Sequence, residues 1–185
     1  MSLTQLDAQL TTWINGLAVR FPFLDGPMIL VTKVGVQLMV FVVALRWWIG
    51  GRSRSERHVT IACGLSFILG LALNQLILLV VHRIRPYDSG VTLLLIAPSA
   101  DPSFPSDHST AAFAIVFGYL LHSRLPLALC FSIGAFLVAF SRVYLGTHYC
   151  GDVLGGMLTA FMAAAIVRGF YREGTDIDKW VTGIL

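Results

Sequence analysis

Charge is what this chain has least of. Aspartate, glutamate, lysine and arginine make up only 12% of its 185 residues, against the ~25% usual in a soluble domain. So little polar surface cannot cover a water-exposed globule, which excludes the ordinary soluble classes. Cysteine is scarce as well. Cys63, Cys130 and Cys150 are odd in number and two of them lie inside hydrophobic runs, so they read as small buried apolar residues and not as a disulfide framework or a metal site. No lysine/arginine tract resembles a nucleic-acid footprint, and the formal charge of +3 is modest, so no nucleic-acid partner is expected. The N-terminus lacks a basic stretch followed by a short apolar core, so no cleavable signal peptide is expected. Internal repeats and low-complexity tracts are also missing. The length suggests one domain over residues 1–185.

What the chain does have is apolar sequence, 56% of it, gathered into long runs of the kind that cross membranes. Leu6, Leu10, Trp13, Ile14 and Leu17 recur at helical spacing, with Asp7, Gln9 and Asn15 between them. Residues of about 4–20 therefore form an amphipathic helix, which either lies at the membrane surface or packs on the bundle. Pro22, Asp25, Gly26 and Pro27 then break the chain. Five apolar segments follow, at about 27–48, 58–81, 108–122, 126–145 and 150–170. The third is short and needs tilt or its caps to reach across. The expected class is all-α, an integral membrane helical bundle of about five transmembrane helices plus the N-terminal amphipathic helix. Nothing in the sequence sets the oligomeric state.

Positive charge orients the bundle. Arg46, Arg52, Arg54 and Arg57 crowd the link between the first two spans, which assigns that link to the cytoplasm. Alternation then leaves Arg124 and the tail with Arg168, Arg172 and Lys179 inside. The connections 82–107 and about 142–150, together with the N-terminus, fall outside. A polar connection as long as 82–107 within a compact bundle is more often functional than passive.

Every residue that looks chemical lies on that outer side, in three segments. The first is His82-Arg83-Ile84-Arg85-Pro86; the second is Phe104-Pro105-Ser106-Asp107-His108-Ser109; the third runs from Ser141 to Asp152. Arginine offers a fork of donors that suits phosphate oxygens and stays charged. That makes Arg85 and Arg142 candidate phosphate ligands; for Arg83, snorkelling to the interface is an equal alternative. Ser106 stands where a helix N-cap belongs, beside free N–H groups that favour an anion. His148 and Asp152 are four apart and share a face on a helical turn. A carboxylate on one imidazole nitrogen fixes the tautomer and frees the other nitrogen to attack. His108 is then available as an acid. His58, His82 and His122 read as polar contacts, and no histidine spacing resembles a metal motif, so neither a metal nor another cofactor is expected.

These segments resemble the type-2 phosphatidic acid phosphatase superfamily, whose signature is Lys-x6-Arg-Pro, then Pro-Ser-Gly-His, then Ser-Arg-x5-His-x3-Asp. The third motif matches throughout, from Ser141 to Asp152. The second carries Asp107 in place of glycine. The first keeps Arg85-Pro86, but Leu78 stands where lysine is expected. The resemblance implies that His148 is a nucleophile that forms a phosphohistidine, that Asp152 orients it, and that His108 is the general acid. It also implies that Arg85, Ser106 and Arg142 hold the phosphate, with the backbone at Asp107 helping, and that the Asp107 side chain turns away or pairs with an arginine. Lys33, an intramembrane lysine near the outer end of the first span, is a functional suspect and a candidate replacement for the missing lysine. The wording Phe-Pro-Ser-Asp-His with Ser-Arg-Val-Tyr-Leu-Gly-x-His looks most like the bacterial undecaprenyl-diphosphatase branch. That implies a polyprenyl diphosphate lipid as substrate, dephosphorylated on the outer side of the bacterial inner membrane to recycle a cell-wall carrier. A broader lipid phosphate phosphatase, a lipid phosphotransferase or a transporter component are the alternatives. The last predicts charges strung through the membrane depth, whereas here, Lys33 apart, they gather at one end.

Overall fold

The computed structural model describes residues 1–49 and 53–183; Arg52, used above to orient the chain, lies outside the described residues. The elements are α1 (Leu3–Arg20), a 3-10 turn (Pro22–Leu24), α2 (Asp25–Ile49), α3 (Arg54–Leu78), α4 (Asp107–Leu121), α5 (Leu125–Tyr144), α6 (Cys150–Phe170) and a short α7 (Asp176–Thr182). The class is all-helical, with no strand among the described residues. The break foreseen at 22–27 is narrower than expected. Pro22 opens the 3-10 turn, and Pro27 falls in the first turn of α2, where no intrahelical N–H donor is required.

Among the described residues, four helices are long and apolar enough to cross a membrane: the 3-10 turn with α2 (Pro22–Ile49), α3, α5 and α6. The fifth expected span, α4, has only 15 residues, or about 22 Å at ~1.5 Å per residue. Its environment accounts for this. α4 packs against α2, α3, α5 and α6, and Ser109 to Val116 are all buried. Enclosed by protein, it has no lipid thickness to match. The core around it is built from small and medium residues such as Ala112, Ala114, Ala135 and Ala160, with Phe113, Ile115 and Tyr119 filling the gaps. Large apolar side chains such as Leu38, Phe41, Ile68, Ile133 and Leu158 point outward, as a lipid solvent permits. Of the three cysteines only Cys63 is fully buried; Cys130 is exposed on α5 and Cys150 half-buried. A thiol facing lipid loses nothing by exposure, so the expectation of burial fails at Cys130.

The end of the bundle away from the candidate motifs is pinned by ion pairs. Glu56 lies 2.8 Å from both Arg46 and Arg124. His58 meets Asp178 of α7 at 2.8 Å and stacks on Tyr171, a structural polar contact of the kind read from the sequence.

α1 starts with a reciprocal cap: Gln5 N–H donates to Ser2 Oγ (3.3 Å) and Ser2 N–H to Gln5 Oε1 (2.9 Å). The helix packs on α5 and α6, but much of the face it turns inward is polar. Thr11 and Asn15 are buried, while Leu6, Leu10 and Trp13 are exposed. The Asn15 amide donates to the carbonyls of Leu93 (2.9 Å) and Tyr144 (2.8 Å) and accepts from the Leu93 N–H (2.8 Å). Replacing it leaves three backbone groups without partners. Asn15→Ala is therefore expected to lower stability by about 1–3 kcal/mol, read as thermal unfolding in detergent, whereas Gln9→Ala on the exposed side leaves it unchanged.

Candidate active site

At the other end of the bundle, Arg85, Asp107, His108, Arg142 and His148 line one cavity of about 200 Å³, together with Gln75, Leu78, Ser99, Asp101, Pro102 and Pro105. Three stretches far apart in sequence thus converge. Each is placed by backbone geometry that the sequence sets locally. α5 ends at Tyr144, and the chain turns through Gly146, whose φ of +78° lies in the left-handed region. The turn carries Thr147 and His148 back over the cavity. A Cβ at position 146 would also collide with the Leu93 carbonyl, so both the angle and the space require glycine.

Arg85 is buried and rigidly held. Its Nε donates to the Asp101 carbonyl (2.8 Å) and its Nη1 to the Thr147 carbonyl (3.0 Å). Nη1 also stands 3.4 Å from His148 Nε2. Arg142 reaches in from α5, with Nη1 on Thr32 Oγ1 at 2.7 Å; its Nε is buried with no partner among the described residues. Ser106, the N-cap of α4, is in the same position: its Oγ is buried and unpartnered, while its N–H donates to the Asp152 carbonyl (3.0 Å). The first N–H of α4 to find an intrahelical acceptor is that of Thr110, on Ser106 O (2.9 Å). Unsatisfied buried donors beside a helix N-terminus and two arginines make a cradle for an oxyanion.

His148 is almost fully buried. Its Nδ1 lies 2.8 Å from the Ser103 carbonyl. A carbonyl only accepts, so Nδ1 carries the proton and Nε2 presents its lone pair on the side of Arg85. The direct contact expected from Asp152 is not the one that forms. Its carboxylate stands 3.7 Å from Nδ1, beyond a hydrogen bond. Asp152 instead takes the Ser103 hydroxyl (2.5 Å), the Tyr149 N–H (2.8 Å) and Arg83 (2.7 Å). As the third residue of α6 it also caps that helix. Burial lowers the pKa of His148 below the ordinary histidine value; Arg142 and Arg85 push the same way, and Asp152 opposes them. Arg83, whose choice between snorkelling and binding phosphate was open, does neither. Its guanidinium pairs with Asp152 and Asp7, and these partners outweigh its burial and hold it charged more firmly than usual.

Asp107, expected to turn away from the phosphate or to pair with an arginine, lines the cavity, and its carboxylate accepts from the Asn74 amide (2.7 Å). Lys33 is not brought to the site. It is exposed on α2, because one residue along a helix turns a side chain by about 100°, and it is Thr32 that meets Arg142. At Leu78 the cavity wall is apolar, and Gln75, one turn earlier, is the polar residue of α3 there. Ser103 could not have been found from sequence, since nothing marks it within a polar loop. The Asp7-Thr11-Asn15 stripe at four-residue spacing was a readable signal.

A helical membrane bundle that gathers two arginines, two histidines and a helix N-terminus with free N–H groups at one cavity defines a membrane enzyme acting on phosphate groups. The chain belongs to the PAP2 superfamily, whose model matches residues 59–175. It is 36% identical over 149 residues to undecaprenyl-diphosphatase BcrC of Bacillus subtilis, covering 80% of this chain and 76% of that protein. It is 29% identical over 164 residues to phosphatidylglycerophosphatase B of the same species, covering 82% and 77%. A crystal structure of a transmembrane PAP2-type phosphatidylglycerolphosphate phosphatase from Bacillus subtilis superposes with a TM-score of 0.61 at 26% identity, covering 91% of this chain and 87% of that one. This chain is accordingly a lipid phosphatase, a hydrolase of the membrane.

Gly146→Ala tests the turn that delivers His148. It is expected to cost about 1–3 kcal/mol of stability in thermal unfolding and to lower turnover in whatever fraction remains folded.

Proposed function

We propose that the chain hydrolyses undecaprenyl diphosphate to undecaprenyl phosphate and inorganic phosphate, through a phosphohistidine at His148, on the outer face of a bacterial plasma membrane. The observation that carries this reading is the state of one imidazole. Nδ1 of His148 is committed to the Ser103 carbonyl, and Nε2 faces Arg85 in the cavity that His108 and Arg142 share. Nε2 attacks the terminal phosphorus, and the bond to the bridging oxygen breaks as His108 gives that oxygen a proton. Arg85, Arg142, Ser106 and the free N–H groups at the start of α4 take up the charge on the equatorial oxygens. Water, deprotonated by His108, then attacks the phosphohistidine; the P–N bond breaks, and phosphate leaves with the imidazole neutral again. The arginines supply the positive charge, so the reading needs no metal.

The choice of lipid rests on the identity to undecaprenyl-diphosphatase BcrC. The outward orientation rests on the arginines and lysine at the opposite end, Arg46, Arg54, Arg57, Arg124, Arg168, Arg172 and Lys179. A second reading, phosphatidylglycerol phosphate as substrate, is favoured by the solved neighbour and by phosphatidylglycerophosphatase B. Rates on the two lipids with one detergent preparation separate them, the diphosphate being expected to turn over faster. His148→Ala abolishes release from both; retention of release in that variant would refute the phosphohistidine.

The nucleophile must be neutral, and burial depresses its pKa. A depressed histidine stays neutral as pH falls past its ordinary value. The acid limb of kcat/KM is therefore expected below pH ~6.5, measured as phosphate release across a buffer series.

A further inference from the structure

Arg83 makes a set of contacts that the phosphate-binding scheme does not use. Its Nη1 lies 2.7 Å from Asp152 Oδ1 and its Nη2 lies 2.7 Å from Asp7 Oδ2, on the N-terminal helix. Its Cζ sits over the Tyr149 ring, 3.9 Å from the ring centre. On the other side, Asp7 Oδ1 accepts the N–H of Gly151 at 2.8 Å. A Cβ at Gly151 would stand 2.7 Å from Asp7 Oδ2 and 3.3 Å from Arg83 Nη1, so a side chain there would push the Asp7–Arg83 pair aside. The Arg83 carbonyl also accepts the N–H of Ser103 (2.8 Å), the residue whose own carbonyl holds His148. One residue thus touches both supports of the imidazole, the Asp152 carboxylate and the Ser103 backbone, without lining the cavity.

We propose that Arg83, clamped by Asp7 of α1, is a positioning residue for the nucleophile: it holds Asp152 and the Ser103 segment so that His148 keeps its Nδ1–H on the Ser103 carbonyl and its Nε2 towards the phosphate. This rests on the phosphohistidine reading above. Arg83 leaves only one oxygen of Asp152 for the Ser103 hydroxyl and the Tyr149 N–H, and it balances a carboxylate with no exposed surface. Without Arg83 that charge is free to pull the imidazole proton across the 3.7 Å gap, which turns the ring off Ser103. A planar fork with two donors facing opposite ways spans two carboxylates; a lysine ammonium does so poorly. The other charged or titratable groups lining the cavity with His148 are Asp101 and Asp107 and the proposed phosphate ligands and acid, Arg85, Arg142 and His108. The last three would hold substrate in the variants as in the wild type, so Arg83 acts on kcat and not on KM.

The test is phosphate release from undecaprenyl diphosphate by the full chain in detergent, for wild type, His148→Ala, Arg83→Ala, Arg83→Lys and Asp7→Asn. Arg83→Ala is expected to lose roughly 10- to 100-fold in kcat with KM nearly unchanged, and guanidinium ion at tens of millimolar is expected to restore part of the rate. Arg83→Lys should fall in between. Asp7→Asn keeps the acceptor for Gly151 but loses the charge, and should show a smaller kcat loss of the same kind; it also decides the matter if Arg83→Ala does not fold. Wild-type kcat in Arg83→Ala, a rise in KM in place of a fall in kcat, or wild-type kinetics in both Asp7→Asn and Arg83→Lys would overturn the proposal while His148→Ala remained dead. Release that survives in His148→Ala, or no release from the wild type, would instead bring down the phosphohistidine reading, and this inference with it.

Discussion

The Asp152 carboxylate has no exposed surface, and much of the active end of this protein is arranged to satisfy it. A buried carboxylate stays charged only if donors from the protein replace the water it has lost. Here they come from three directions: the Tyr149 N–H at the start of α6, the Ser103 hydroxyl in the long α3–α4 connection, and Arg83 just after α3. Each donor ties a different part of the chain to one point. The Ser103 carbonyl is then left facing His148, and the Asp152 carbonyl takes the N–H of Ser106 at the cap of α4. Histidine, N-cap and loop are fixed relative to one another because a single charge had to be neutralised.

The bilayer sets the complementary constraint. In a lipid solvent the large apolar side chains gain nothing by turning inward, so helices approach through small residues and the centre is left to a short, alanine-rich α4. That centrality serves the chemistry. A helix enclosed by its neighbours can begin at the depth where the cavity lies, with its N-terminus beside the cavity and its first N–H groups not yet used.

The third motif was legible as a placement, because offsets of one, seven and eleven residues from Ser141 along a helix–turn–helix set where Arg142, His148 and Asp152 stand. The direct contact expected between His148 and Asp152, however, is replaced by one through Ser103. Four of the spans were legible from apolar runs, and α4 was recognisable as a helix though it does not meet lipid like the others. What could not be read were contacts made through the backbone. Ser103 acts through its carbonyl, a group every residue has, and so leaves no trace in the choice of side chain. Lys33 misled for the opposite reason. Its charge made it conspicuous, whereas its neighbour Thr32, inconspicuous in an apolar run, has the right phase on the helix to reach Arg142. Arg83 and Arg85 stand two apart, and only Arg85, followed by Pro86, carries a motif. The two-residue offset sends one to the carboxylate and the other to the cavity.

The N-terminal helix shows how these two constraints meet. An amphipathic helix on a water-soluble core hides its apolar stripe, yet α1 buries Thr11 and Asn15 and leaves Leu6, Leu10 and Trp13 outside. The surface beneath it explains the inversion. α1 covers ends of helices and a loop, where the free groups are backbone N–H and C=O at Leu93, Tyr144, Cys150 and Gly151, and only polar side chains can satisfy them. Turning that face inward leaves leucine and tryptophan outward, which a membrane interface would accept where water would not. An apolar stripe facing down would leave five backbone groups unsatisfied beside His148, the N–H and C=O of Leu93, the C=O of Tyr144 and the N–H groups of Cys150 and Gly151, and a polar stripe facing up would gain nothing from lipid. The orientation of α1 therefore follows from the same requirement that organises Asp152: at this end of the bundle, buried polarity has to be answered from within the chain.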